Sequence, residues 1–193
     1  MLQGKGFNEI YNLSGGIKAW QDKVAVGPED QGLQLFEGLM SLPESLIVAY
    51  SLEQGLEDFY RSQLPQIENA DARAIFQQLA EIEIVHQESI LKQYNQATGQ
   101  QLSREAFEKR DLETAIEGGL TTEEYLERFQ PDLNAIHDVI SLAMSIEAQA
   151  LDLYMRAAAN AQDTALRDAL KQIGREERGH LNELGNLMDR IKA

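Results

Sequence analysis

One pattern occurs twice in this chain at a fixed offset. Glu53 is followed seven residues later by Tyr60, and further on by Glu83-Ile84-Val85-His86. Glu147 is followed by Tyr154 at the same distance, and then by Glu177-Arg178-Gly179-His180. Each residue of the second set lies 94 positions after its counterpart, and residues 46–94 overlay 140–188 without a gap. Ala49 and Ala143, Ser51 and Ser145, Asp58 and Asp152, and Arg73 and Arg167 fall into the same register. Such self-similarity restricts the chain to folds built from two copies of one unit, here a helical hairpin.

The apolar residues between these positions keep helical time. Leu166, Leu170, Ile173, Glu177, His180, Leu184, Leu187 and Ile191 follow steps of three and four, which defines one core-facing stripe with Glu177 and His180 in its middle. One repeat earlier the stripe is Ala72, Phe76, Leu79, Glu83, His86 and Ile90. Glu53 sits likewise among Leu46, Ala49, Leu56 and Tyr60, and Glu147 among Ile140, Ala143, Ala150 and Tyr154. Residues three apart on a helix share a face, so Glu-x-x-His points a carboxylate and an imidazole the same way. A lone Glu-x-x-His is ordinary surface chemistry. Two copies on core stripes, each preceded by a core glutamate at the same distance, are not.

Four carboxylates aimed into one helical core are costly if unpaired. The stripes carry no matching set of Lys or Arg to neutralise them. Two divalent ions would cancel four negative charges, with neutral His completing each shell. Imidazole and carboxylate together suit iron or manganese, with zinc a possible substitute. The six expected ligands are therefore Glu53, Glu83, His86, Glu147, Glu177 and His180. His137 has no partner in the repeat, because position 43 is Pro, and is read as a non-ligand.

With 193 residues the chain is long enough to bury a core, most simply as one domain with extensions. The net charge of −15 argues against nucleic acid or an anionic membrane as partner. The chain has no cysteine, which excludes disulfides, thiol catalysis, iron–sulfur clusters and a four-cysteine iron site within it. No long apolar run and no signal-peptide core appear, so a soluble, cytoplasmic protein is expected.

Residues 1–27 differ in character from the rest of the chain: Phe7 to Leu13 read as a strand, Ser14-Gly15-Gly16 as a turn, and Ile17 to Asp22 as a short helix. Residues 28–40 form a linker, with a short helix expected over Leu33 to Met40. Ser41-Leu42-Pro43-Glu44 is a capping box with Pro in the first turn, and the helix it opens should stop near Gln63 before Leu64-Pro65. Asn69 or Asp71 opens the next helix, which runs to about Ala97 and ends at Gly99. Ser103 caps a short helix ending at Gly118-Gly119, and Thr121-x-x-Glu124 is a further capping box. The third long helix is expected from near Pro131 to about Ala161, and Asp163 or Thr164 caps the fourth. The fold class is all-α. A connection as long as residues 100–130 suits a bundle crossover between the two hairpins.

The ligand pattern resembles the ferritin-like di-iron carboxylate proteins of the rubrerythrin and erythrin group, over roughly residues 35–192, at all six positions. That resemblance implies a four-helix bundle in residues 41–193 with two bound irons. It implies that Glu83 and Glu177 bridge the ions, that Glu53 and His86 serve one of them, and that Glu147 and His180 serve the other. It also implies that Tyr60 and Tyr154 act at the site by donating hydrogen bonds to ligand carboxylates, although a core aromatic with a polar tip fits the same positions. The expected activity is oxidoreduction: hydrogen peroxide or O₂ reduced with electrons from a separate donor of rubredoxin type. Iron handling by a ferroxidase-type site is the alternative, and a purely structural metal a third.

Two departures from the family pattern stand out. Its additional glutamate, three residues after the third helix's ligand, is Ala150 here, with Glu57 at best a weak substitute. No rubredoxin-like segment accompanies the bundle. The N-terminal Gly6-Phe7-x-x-Ile10-x-x-Leu13-x-Gly15-Gly16-Ile17-x-x-Trp20 resembles the C-terminal end of a rhodanese domain, without that domain's catalytic cysteine. It is expected to be the trailing remnant of a longer fusion. Its apolar residues need a surface to cover them, which together with the symmetric repeat favours a homodimer.

Overall fold

Four long helices dominate a computed structural model of the chain, which describes residues 32–36, 41–111, 126–127 and 130–191. The expected strand–turn–helix of residues 1–27, the helix end at Gly118-Gly119 and the capping box at Thr121 lie outside the described residues. A 3-10 turn spans Leu33–Leu35, within the stretch expected to form a short helix. Helix α1 spans Leu42–Gln63, α2 Ala70–Thr98, the short α3 Arg104–Asp111, α4 Ile136–Asn160 and α5 Thr164–Ile191. No strand is found among the described residues.

The caps form where the sequence offers the chemistry. Ser41 accepts from the Glu44 amide at 3.4 Å, and the Glu44 carboxylate takes the Ser41 amide at 3.2 Å. At the second helix it is Asn69, not Asp71, that caps, accepting from the amides of Asp71 and Ala72. Gly99 closes α2 with φ 68°, a left-handed conformation that costs glycine little. Ser103 caps α3 through the Ala106 amide, and Asp163 caps α5 through the Leu166 amide.

The start of α4 differs from expectation by five residues. Asp132 and Asn134 spend their side chains on the backbone instead of joining a helix. The Asn134 amide donates to Asp132 Oδ1, while Asn134 Oδ1 accepts from the Glu68 and Asn69 amides across the bundle end. Short polar side chains that bond locally compete with helix formation, and here they hold the chain non-helical until Ile136.

The repeat also governs the turns. The Arg73 guanidinium donates to the Ile67 carbonyl, and Arg167 Nη2 donates to the Ala161 carbonyl at 2.7 Å. Ile67 and Ala161 are again 94 positions apart, so one lashing of the inter-helix turn is used in both hairpins. Helices α1 and α2 pack as one antiparallel pair and α4 and α5 as the other.

The core divides into two apolar clusters, one toward each end of the bundle. One gathers Phe59 and Tyr60 of α1, Phe76 and Leu79 of α2, Ile140 and Ile146 of α4, and Leu184 and Met188 of α5. The other gathers Leu46 and Tyr50 of α1, Ile90 and Tyr94 of α2, Leu153 and Tyr154 of α4, and Leu170 and Ile173 of α5. Followed through these clusters, α2 and α4 run the same way. The connection between them must therefore travel back along the bundle, which explains its length.

Helix α3 lies on that return path. Its Phe107 is fully buried between the rings of Tyr50 and Tyr94, at centroid distances of 4.9 and 4.8 Å. Phe107→Ala should cost about 3–5 kcal/mol, the usual range for removing a buried phenylalanine. Chemical denaturation of both proteins would show this as a lower midpoint with an unchanged slope. An effect below about 1 kcal/mol would mean the crossover is not held by this contact. No helix among the described residues is long and apolar enough to cross a membrane.

Candidate metal centre

Between the two apolar clusters lies one polar layer, to which every long helix contributes. It takes Glu53 from α1, Glu83 and His86 from α2, Glu147 from α4, and Glu177 and His180 from α5. All four glutamates are fully buried. The i, i+3 spacing does what helix geometry demands, turning Glu83 with His86 and Glu177 with His180 toward the same axis. All six side chains belong to one chain, so its two hairpins complete the layer together.

The contacts within the layer link the hairpins. His86 Nδ1 lies 3.1 Å from Glu53 Oε2, 3.3 Å from Glu83 Oε2 and 3.4 Å from Glu177 Oε1. His180 Nδ1 lies 3.9 Å from both Glu147 Oε2 and Glu177 Oε2. The two imidazoles stack, with centroids 4.4 Å apart and planes 24° from parallel. The tyrosines cross between hairpins: Tyr60 Oη donates to Glu147 Oε1 at 3.5 Å, and Tyr154 Oη donates to Glu53 Oε1 through a shorter bond.

These contacts pull the carboxylates apart electrostatically. Burial pushes Glu53 up, but the hydrogen bond and charge of His86, aided by Tyr154, outweigh it and leave Glu53 below the ordinary value. Glu83 is driven well above it, by burial and then by the negative Glu147 and Glu53, against the pull of His86. Glu177 is likewise driven well up by burial and by Glu53 and Glu147. Burial disfavours a charged His86, yet the adjacent Glu53 and Glu83 raise it to about 11. Burial, then the charges of Glu53 and Glu177, push the Tyr154 hydroxyl well above its usual value, so it stays protonated and donates.

Even so, the layer does not satisfy itself. Both oxygens of Glu83, both of Glu177, Oε2 of Glu147, Nε2 of His86 and Nδ1 of His180 are buried without a hydrogen-bond partner. Ordered water can supply hydrogen bonds, but it brings no positive charge to a layer of buried carboxyl groups. Cations can do both. Two triads, Glu53 with Glu83 and His86, and His86 with Glu177 and His180, hold donor atoms within 4.8 Å of one another. Mixed carboxylate and imidazole donors of this kind fit iron or manganese. The residues present therefore fit a metal centre.

The structure brings all six expected ligands and both tyrosines to this layer. His137 stays apart, half-exposed near Asp138. Glu57 also stays apart, though for a different reason. It is held by Arg61 Nε at 2.7 Å, Gln87 Nε2 at 3.0 Å and Arg104 Nη2 at 3.0 Å, and these bonds outweigh burial and keep it ionised. Glu57 is thus committed to an ion-pair network and does not replace the glutamate absent at Ala150. Arg104 also donates to Glu108, which accepts from Tyr50. Sequence reasoning misses this network because its members in α3 have no counterpart in the repeat. The i, i+4 spacings of Glu57 with Arg61 and of Arg104 with Glu108 are its traces in the sequence.

Two comparisons with known proteins found similarities. The family model described as Rubrerythrin matches residues 44–188. Among solved structures, a hypothetical protein from Pyrococcus furiosus is similar, with 25% identity and a TM-score of 0.50 over 80% of this chain and 93% of that one. No match is found among curated proteins.

Proposed function

Since the chain belongs to the rubrerythrin family of ferritin-like di-iron proteins, we propose that its polar layer holds two iron ions and that it reduces hydrogen peroxide or O₂ with electrons from a separate carrier. The observation that carries this reading is the set of buried, unpartnered carboxylate and imidazole atoms converging from four helices. Glu53 and His86 would hold one ion, Glu147 and His180 the other, and Glu83 and Glu177 would lie between them. Bound iron supplies Lewis-acid and one-electron redox chemistry that no side chain here possesses.

The chain's own residues set the conditions for that chemistry. Two apolar clusters close the layer above and below, which keeps bulk water from the carboxylates and strengthens every charge interaction among them. Tyr154 holds Glu53 Oε1 and Tyr60 holds Glu147 Oε1, so one oxygen of each terminal glutamate is fixed by the opposite hairpin. Reduction of peroxide to two waters takes up two electrons and two protons. A rubredoxin-type protein is the proposed electron carrier and a homodimer the proposed assembly. Tyr154→Phe should weaken metal binding by about tenfold or more, the scale on which contacts behind the ligands act. The longer Tyr60 contact should make Tyr60→Phe the milder change. Equal metal affinity in wild type and Tyr154→Phe, by competition with a chelator, would remove the tyrosine from the site.

The function itself is tested by mixing iron-loaded protein with hydrogen peroxide and a generic reductant. Catalytic loss of peroxide, abolished in Glu83→Ala, supports the proposal. Uptake of iron well beyond two ions per chain without peroxide turnover would replace it with iron handling.

A further inference from the structure

The two halves of the layer are equal in sequence pattern but unequal in structure. The His86 side chain is 4% exposed and that of His180 17%. His86 Nδ1 has three carboxylates within 3.4 Å, whereas His180 Nδ1 approaches none closer than 3.9 Å. The donors of Glu53, Glu83 and His86 converge as a fully buried triad. Among the described residues the other converging triad borrows His86 and leaves Glu147 out.

A cause for the difference lies next to the ligands. Gln87 follows His86 and donates across to Glu57, tying α2 to α1 one turn beyond Glu53. Arg104 reaches the same Glu57 from α3 and fixes this hairpin from outside. The positions 94 later than Glu57 and Gln87 are Leu151 and Leu181, which offer no such bond. Among the described residues this clamp ties only the first hairpin beside its ligands.

We propose that metal fills the site in order. The Glu53, Glu83 and His86 half binds the first ion and retains it, and the Glu147, Glu177 and His180 half binds the second more weakly and exchanges it with solvent. This rests on the reading of the layer as a two-metal centre. Ligands already converged and held by their neighbours lose little freedom on binding, while those that must still draw together pay an ordering cost. Exchange also needs a path for water and incoming ligands to the metal, and His180 is the more exposed of the two imidazoles.

The test uses the whole protein and Mn²⁺ alone as probe. With one equivalent of Mn²⁺, anomalous scattering from crystals should place the ion at Glu53, Glu83 and His86. Chelator should then strip a fully loaded sample in two phases that differ by about tenfold or more in rate. His180→Ala should keep one ion, and His86→Ala should lose both. Gln87→Leu, which touches no ligand position, should narrow the gap between the phases. Half-occupancy at both positions with one equivalent, or a single stripping phase in wild type, overturns the order while leaving the two-metal reading in place. Wild type that binds no Mn²⁺ at all overturns both, and needs no variant to fold.

Discussion

Glu83→Gln should abolish metal binding and, in the same protein, raise the melting temperature of the metal-free form. The two effects share one cause. Glu83 is fully buried, both its oxygens lack hydrogen-bond partners, and its carboxyl is pushed well above the ordinary range by burial and by Glu147 and Glu53. Without metal at pH 7, folding must either keep that carboxylate charged in an apolar surround or hold a proton on it. Both cost free energy relative to the unfolded chain. Gln has nearly the same shape and no charge, so the cost disappears together with the ligand. A carboxyl whose proton affinity is raised on folding costs about 1.4 kcal/mol for each pH unit above its ordinary value over which the folded state keeps the proton, so a neutral residue there should stabilise by about 1–3 kcal/mol. For a chain of this size each kcal/mol moves the melting temperature by about 2–4 °C, so a rise on the order of 5 °C is expected. Metal analysis and melts in chelator measure both quantities. A variant that keeps two ions, or whose metal-free form melts lower than wild type, would show that Glu83 is not a strained central ligand.

Such a sign reversal marks a site selected for binding at the expense of the fold. The amino-acid sequence makes the site partly legible. The offset of 94 identifies which six side chains share the layer, because helical spacing decides which way each points along its own helix. It does not decide which partners meet across helices. That Tyr154 reaches Glu53 and Tyr60 reaches Glu147, each in the opposite hairpin, depends on how the hairpins dock. The caps at Ser41, Ser103 and Asp163 are readable because capping is local chemistry. The start of α4 is not, because Asn134 bonds to amides 65 and 66 residues away, which no local pattern announces. The inequality of His86 and His180 is hidden for the opposite reason: the repeat makes the two look alike, and the Glu57–Gln87 bond that separates them lies off the pattern.

Loaded protein should melt about 8–16 °C above chelated protein at pH 7, and this gap should close as the pH is lowered toward 4.5. The range follows from mass action: a ligand present at a thousand times its dissociation constant stabilises by about 4 kcal/mol, at about 2–4 °C for each. The closing of the gap follows from protons on both forms. Metal needs ionised carboxylates and neutral imidazoles, so acid competes with it for every ligand and the loaded form loses its advantage. The metal-free form moves the other way. Glu83 and Glu177 titrate well above their ordinary 4.5, so their burial penalty is present at high pH and is relieved as they take up protons on the way down to that value. His86, raised from 6.5 to about 11, contributes stability that is complete below 6.5 and fades only as the pH climbs toward 11, so it changes little over this window. Glu53, held below 4.5, contributes stability that is present above that value and is lost only at lower pH. The metal-free protein should therefore hold or gain stability between pH 7 and 4.5, while the loaded protein falls to meet it. Melts with and without chelator at the two pH values decide the matter. Coincident curves at pH 7 would show that the buried glutamates do not depend on metal, and a gap that widens on acidification would show that their protons are not what metal displaces.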